Sequence, residues 1–381
     1  MVTQVERLVG PGLTAKGREV LFLPAKHGGA GFGCAELRAD AAWLGSWHAV
    51  RAAVRAGQAA PSLARAEEAT PKLTAAVSEA KARLRADGAW VPWDPPCVVK
   101  QKTYTRQLVD RRRRGLLDLL SEAEAGLLHS HGGTGSTALE PPTRAQHLLG
   151  DDEFAVTLRR RLLYEDPAGT GGRPCCNTAR GSTVQCGVTT REPLAEHASK
   201  CPVGPGFVIR HNGTRDTLGE WLAERYGQNA VSFEQRIPTW DRRTDEGIQH
   251  AVLDVVLAFP GGRVCCDVSV AEALAPAGPD RRRRAAAAGT AAREREREKH
   301  ARYPGPGLCA AVLESGGRMG AELQGFLRAH APGADRAAAL ADVRQRLVVA
   351  VTRGTAAMLL SAAGPRPRPW RSPAQGAGRG R

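Results

Sequence analysis

The feature that most limits how this chain can fold is a cluster of soft metal ligands in a segment with few apolar residues. Cys175, Cys176, Cys186, His197 and Cys201 all fall within residues 173–211, which otherwise read as loop. Such a segment has little core of its own, and a bound ion supplies the folding energy it lacks. Zinc takes four ligands in a tetrahedron, and three cysteines with one histidine is a common structural set. His197-x3-Cys201 places two ligands about one helical turn apart, which suits chelation from one short element. The expected set is therefore Cys176, Cys186, His197 and Cys201 around a structural Zn²⁺, with Cys175 an equal alternative to Cys176 and His211 a spare. The first pair is wide: nine residues separate Cys176 from Cys186, where a knuckle usually leaves about two to four. The competing reading is a loop of reduced, unrelated thiols.

The second constraint is a pair of carboxylates. Strand-like runs at 230–236, 251–259 and 263–270 follow a helical stretch at 214–226, and Pro260-Gly261-Gly262 joins the last two. A short hairpin turn centred on Pro260-Gly261 sets Asp254 opposite Asp267 on one face, with Leu253, Val255, Leu257 and Phe259 on the other. Two carboxylates that close repel unless a cation lies between them, which points to Mg²⁺ or Mn²⁺. Glu234, on the preceding strand, is the candidate third oxygen ligand. The bland alternative is a solvated acidic face, and a slip of one residue in register would separate the two carboxylates.

Order along the chain also matters. Helix, three strands, helix and strand, with acids on the middle strands, is the order that a metal-dependent nuclease core of the restriction-enzyme type needs. Such a site wants a lysine to stabilise developing charge or position the attacking water. Ser269 stands two residues after Asp267, where that lysine is expected. Beyond Lys200 the only lysine is Lys299, on a charged helix expected over 281–303, and it is the substitute candidate. A solvated charge is the competing reading for Lys299. Asp151-Asp152 invites a polymerase interpretation, but Phe154, Leu158 and Leu162 follow at helical spacing, so the pair reads as a helix start.

Charge points to a polyanionic partner. The chain carries 54 basic and 39 acidic residues, net +15. Residues 280–381 hold 20 basic and 8 acidic residues while 151–279 hold 14 and 17, so a basic third adjoins an acidic middle. Arg281, Arg282, Arg283 and Arg284 are the densest part of that third outside its tail. Arginine outnumbers lysine 46 to 8, so base composition of the gene is a competing source of the charge. No uninterrupted apolar run of about 18 residues occurs, which argues against a membrane-spanning helix. The polar start Val2-Thr3-Gln4-Val5-Glu6-Arg7 shows no secretory signal.

Taken in order, the motifs resemble the C-terminal part of non-LTR retrotransposon polyproteins that carry a restriction-like endonuclease. Phe22-Leu-Pro-Ala-Lys-His-Gly-Gly-Ala-Gly-Phe32 and Trp43-Leu-Gly-Ser-Trp47 resemble the segment after the reverse-transcriptase thumb. Cys186-Gly, His197-x3-Cys201, Arg210-His211-Asn212 and Arg215-Asp216-x-Leu218 resemble the zinc knuckle and the helix after it. Leu253-Asp254-Val-Val, the Gly-Gly turn, Asp267-Val-Ser-Val270 and Lys299-x3-Tyr303 resemble the nuclease motifs. Leu253 replaces the proline usual before the first nuclease aspartate, and no polymerase palm motif occurs.

The resemblance implies an α+β chain. A helical region resembling the post-thumb part spans 1–128, a flexible linker 129–150, a connecting helix 151–172 and a zinc knuckle 173–211. A restriction-like α/β core with a mixed central sheet and C-terminal helices spans 212–364, and a disordered basic tail 365–381. It implies a Mg²⁺-dependent endonuclease, nuclear or cytoplasmic before import, that nicks target DNA to prime reverse transcription. Asp254, Asp267, Lys299 and Glu234 are its catalytic set. Arg210, His211, Arg215 and Arg281–Arg284 contact DNA or element RNA, and no membrane is involved. The alternatives are an inactive, decayed nucleic-acid-binding remnant and a protein-interaction domain.

Overall fold

The computed structural model describes residues 2–56, 70–91, 99–164, 174–179, 182–188, 197–274, 278–303, 305–333 and 335–364. The expectations for 62–69, for the break at Pro92, Pro95 and Pro96, for 165–172 and for the tail 365–381 lie outside those residues. Among the described residues the chain is mixed α+β, with a four-stranded mixed sheet and a separate two-stranded one.

The first half is helical: α1 (Val2–Val9), α2 (Ala15–Phe22), α3 (Glu36–Ala56), α4 (Pro71–Ala86), α5 (Gln101–Leu119), α6 (Glu122–His131) and α7 (Asp151–Arg161). Local chemistry sets the starts. Thr14 accepts from the Gly17 amide at α2, and Ser121 and Glu124 cap α6 reciprocally. At α7 the Glu153 carboxylate reaches back to the Gly150 amide, so Asp151 and Asp152 are first-turn acids beside the positive helix end. Two small cores result. One gathers Ala41, Leu44, Trp47, Leu84, Tyr104 and Leu108 from α3–α5, and the other gathers Val9, Val20, Leu21, Leu128, Leu158 and Leu162.

Residues 129–150 do not behave as the expected flexible linker. They continue α6, turn through a short 3-10 helix at Gly133–Leu139, and pack. His129, Ser130, His131 and His147 are buried. The reason lies mainly in Arg161, which is 2% exposed. Its guanidinium donates to the carbonyls of Gly29 (2.7 Å), His131 (3.0 Å), Ala25 (3.1 Å) and Gly135 (3.1 Å), pinning this stretch to residues 25–29. Gly28 permits that approach: its φ is +97°, and a Cβ there would lie 2.1 Å from the Leu128 carbonyl oxygen.

The second half holds the sheet. Helix α8 (Gly206–Tyr226) precedes β1 (Val231–Arg236), the short strands β2 (Arg242–Thr244) and β3 (Gly247–Gln249), β4 (Val252–Phe259) and β5 (Gly262–Ala271). Then come α9 (Pro279–Ala286), α10 (Thr290–Arg302), β6 (Leu308–Glu314), α11 (Ala321–His330) and α12 (Arg336–Ala363). The strand order is β1-β4-β5-β6, antiparallel except for the parallel β5–β6 pair. The single charged helix expected over 281–303 is two helices, because Gly289 adopts a left-handed conformation between them. The β2–β3 hairpin is an addition that the alternation pattern did not signal.

Helices α8, α11 and α12 cover one face of the sheet. Leu218, Trp221, Leu222, Val255, Leu257, Val268, Leu313, Leu323, Leu347 and Val351 form that core. Helix α10 lies on the other face through Ala291 and Ala292 against Ala310 and Val312. Helix α12 contains no uninterrupted apolar run of about 18 residues, but it bears on the membrane argument. It is long and apolar enough to cross a bilayer by length and composition, with a mean hydropathy of 1.3 over 18 residues. Here it is a core helix, with 67% of that stretch buried.

Candidate functional site

The candidate metal centre is built on a small hairpin. Thr178 bridges Gln185, the Cys186 amide donates to the Asn177 carbonyl (2.7 Å), and the Gly187 amide donates to the Cys175 carbonyl (3.0 Å). The long spacing after the first cysteine is thus two strands of a ribbon, which returns Cys186 beside Cys175. Cys175, Cys186, His197 and Cys201 present four ligand atoms within 4.8 Å of one another. The Cys175 and Cys201 sulfurs are 3.8 Å apart, and the Cys186 sulfur is 3.4 Å from His197 Nε2. A tetrahedral ion with bonds of about 2.3 Å to sulfur and about 2.0 Å to nitrogen separates such atoms by similar distances. The group can therefore hold a metal ion such as zinc.

The cysteine that completes the group is Cys175 and not Cys176, which corrects the expected set. Cys175 is buried, whereas the Cys176 thiol turns to the Pro174 carbonyl at 3.6 Å and its amide donates to the Ala362 carbonyl. His211 is not near this group either. The knuckle packs through Cys175, Ala198 and Cys201 on Leu359 and Ala362 of α12.

The carboxylates lie where β4 and β5 part. The ladder runs from Phe259↔Gly262 to Val255↔Cys266, the register expected from the turn. At the next position side chains take over. Asp254 Oδ2 accepts from the Val268 amide (2.6 Å), Oδ1 lies 3.0 Å from His211 Nε2, and the Asp267 carboxyl is close enough to shift the ionisation of Asp254. Lys299, on α10, places Nζ 2.7 Å from Asp267 Oδ2, with both side chains at least 90% buried. The site is thus a chain of four groups: His211, Asp254, Asp267 and Lys299.

Electrostatics separate the two acids. Burial pushes the Asp267 carboxyl up to about 6, and the adjacent Asp254 adds to the push against the pull of Lys299. Burial also works against ionised Asp254, but His211, Asp267 and the Val268 amide outweigh it and hold its pKa below the usual carboxylate value. One acid ionised beside one that resists ionisation is the state expected of two carboxylates in contact.

The remaining expected residues are distributed differently. Glu234 lies across from Asp254 on β1, but its backbone has a positive φ of 49° and its exposed carboxylate pairs with Arg215, away from the two aspartates. Arg210 is 2% exposed and donates to the Ser199 carbonyl (3.2 Å), with Glu272 3.9 Å away. A buried guanidinium cannot meet a phosphate, so Arg210 is a structural link between the knuckle and the sheet. Arg215 is bound to Asp216 and Glu234. Arg283 pairs with Asp280 and Glu294, and Arg284 with Glu294. Arg282 is exposed and Arg281 half-buried.

The sequence reading named His211 as a spare zinc ligand and a nucleic-acid contact, but not as the partner of Asp254. Helix α8 begins at Gly206 and not near 214, so His211 lies on its second turn and reaches the sheet. The Pro205-Gly206 start was the available signal. The chain matches no protein-family model and no curated protein.

Proposed function

We propose that the protein is a divalent-metal-dependent DNA endonuclease module with a zinc knuckle, of the restriction-like type carried by non-LTR retrotransposons. One observation carries the reading: Asp254, Asp267 and the only lysine after residue 200 converge at one buried point where two strands part. A solvated acidic face would leave the two carboxylates apart and Lys299 in water. Two neighbouring carboxylates, one buried and one half-buried, fit a cation, which relieves their repulsion.

Asp254 and Asp267 would hold Mg²⁺ or Mn²⁺, which when bound supplies Lewis-acid polarisation of the phosphate and a more acidic water. The chain's own groups do the rest. The Lys299 ammonium stabilises negative charge developing on the phosphate. His211 and the Val268 amide fix both oxygens of Asp254, so its carboxylate does not rotate. Glu234 is occupied by Arg215 and is not part of the set. A chromosomal DNA substrate would put the protein in the nucleus, or in the cytoplasm before import.

A supercoiled-plasmid assay with Mg²⁺ and Mn²⁺ tests the reading. The wild type nicks, and Asp254→Ala and Asp267→Ala bind DNA without nicking. Binding by the wild type with no nicking in either metal favours the inactive remnant.

A further inference from the structure

Residues 242–250 are all exposed, and they form the β2–β3 ribbon with Asp245-Glu246 at its turn. An isolated two-stranded ribbon is marginally stable in water, so the firmness of this one depends on its root. There Asp241 joins both exits. Its Oδ2 accepts from Arg236 Nη2 (2.5 Å) and lies 3.0 Å from His250 Nδ1, while Oδ1 accepts from the Ala251 amide (2.9 Å). Arg236 ends β1 and Ala251 leads into β4, so one carboxylate ties together the strands between which the ribbon leaves the sheet. Trp240 adds a second tie: its ring lies 6.3 Å from that of Tyr303. The Tyr303 amide donates to the Lys299 carbonyl (2.8 Å). The ribbon is therefore fixed to the strand of Asp254 and to the helix of Lys299.

We propose that this ribbon enters the major groove of duplex DNA beside the nick and reads bases with Arg242 and Gln249; the proposal rests on the nuclease reading above. The major groove admits a two-stranded ribbon. The register sets Arg242 opposite Gln249, so their side chains leave one face together, and Arg243 and Ile248 leave the other. Arginine pairs bidentately with guanine and glutamine with adenine. Asp245 and Glu246, at the tip, can accept from cytosine amino groups at the base edges. Because β4 starts two residues before Asp254, bases read there adjoin the phosphate at the aspartates.

The test uses the full chain and a pool of duplexes with a randomised stretch. Nicked ends are sequenced, and binding to the same duplexes is followed by fluorescence anisotropy. The wild type should prefer guanine or adenine at one or two positions beside the nick. Arg242→Ala and Gln249→Ala should each lower a preference about tenfold, while nicking of the pooled DNA changes less than about threefold. Arg242→Lys keeps the charge and loses the fork, so it should bind with near wild-type affinity and lose its preference. Asp241→Asn loosens the root and should blur all positions together.

A wild type that nicks without preference, or variants that keep it, overturn the ribbon proposal and leave the nuclease reading standing. A wild type whose binding preference is lost in Arg242→Lys, yet never nicks, upholds the ribbon and overturns the nuclease. Absence of both binding and nicking overturns both.

Discussion

Lys299 Nζ lies 2.7 Å from Asp267 Oδ2, although the two residues belong to different elements and the usual lysine position, two residues after the aspartate, holds Ser269. Helix α10 supplies from above the sheet the charge that β5 lacks. If that ammonium stabilises the phosphate, Lys299→Ala should slow nicking by roughly 10²-fold to 10³-fold. It should leave the metal requirement in place, since lysine ligates nothing. Asp267→Ala should abolish nicking at any metal concentration. Single-turnover rates against Mn²⁺ concentration separate the two, and equal rates for Lys299→Ala and wild type would remove Lys299 from the mechanism.

The identity of the fourth metal ligand gives a second test. If the group holds zinc, Cys175→Ser should lower the zinc bound per chain and the melting temperature, because the ion would tie the hairpin to the Cys201 side that packs on Leu359 and Ala362. Cys176→Ser should retain full zinc, since its thiol faces the Pro174 carbonyl. Metal analysis of the two purified variants decides, and the opposite result would return the ligand role to Cys176.

Periodicity and turn chemistry made part of this legible beforehand. The Pro-Gly-Gly turn specified the β4–β5 register, and with it the meeting of Asp254 and Asp267, because a short hairpin has few alternatives. The lack of another lysine after Lys200 singled out Lys299. Three-dimensional competition hid the rest. Cys175 and Cys176 are equivalent in sequence and differ only in which way the strand turns them. Arg210 reads as a phosphate contact, but Glu272 and the Ser199 carbonyl offer it buried partners that sequence spacing does not reveal. The Gly- and Thr-rich stretch after His131 reads as a linker because small residues suit both a loop and a tight approach; Arg161 decides for the latter.

Arg161 should be among the most sensitive positions for stability. Burial lowers its pKa to about 10, and its guanidinium serves four backbone carbonyls in two separate segments. Arg161→Ala strands those acceptors and should cost about 3 kcal/mol or more. Arg161→Lys should recover little of it, because one ammonium cannot span a planar fork's partners. Urea unfolding of both variants measures the loss, and a change below about 0.5 kcal/mol would show that the buried fork is not what holds residues 25–29 to 131–135.

The histidines of the same region predict loss of stability in acid. Burial, with Arg113 adding to it, lowers the pKa of His129 to about 4, and burial lowers His131 well below the ordinary histidine value. His129 donates from Nε2 to the Ala285 carbonyl (3.0 Å), with Arg113 3.5 Å from Nδ1, an arrangement that suits the neutral ring. The sign follows from which state binds protons. Between about 6.5 and about 4 the unfolded chain protonates these rings and the folded chain does not, so stability is full above about 6.5 and falls with pH through that window. Asp267 acts in the opposite sense, because its raised pKa favours the fold as pH drops through about 6. Measuring urea midpoints from pH 7.5 to 4.5 in Asp267→Asn removes that term and should give a steeper acid decline than wild type. His129→Phe in the same background should flatten the curve; a profile unchanged by that substitution would mean that the ring is protonated in the folded protein.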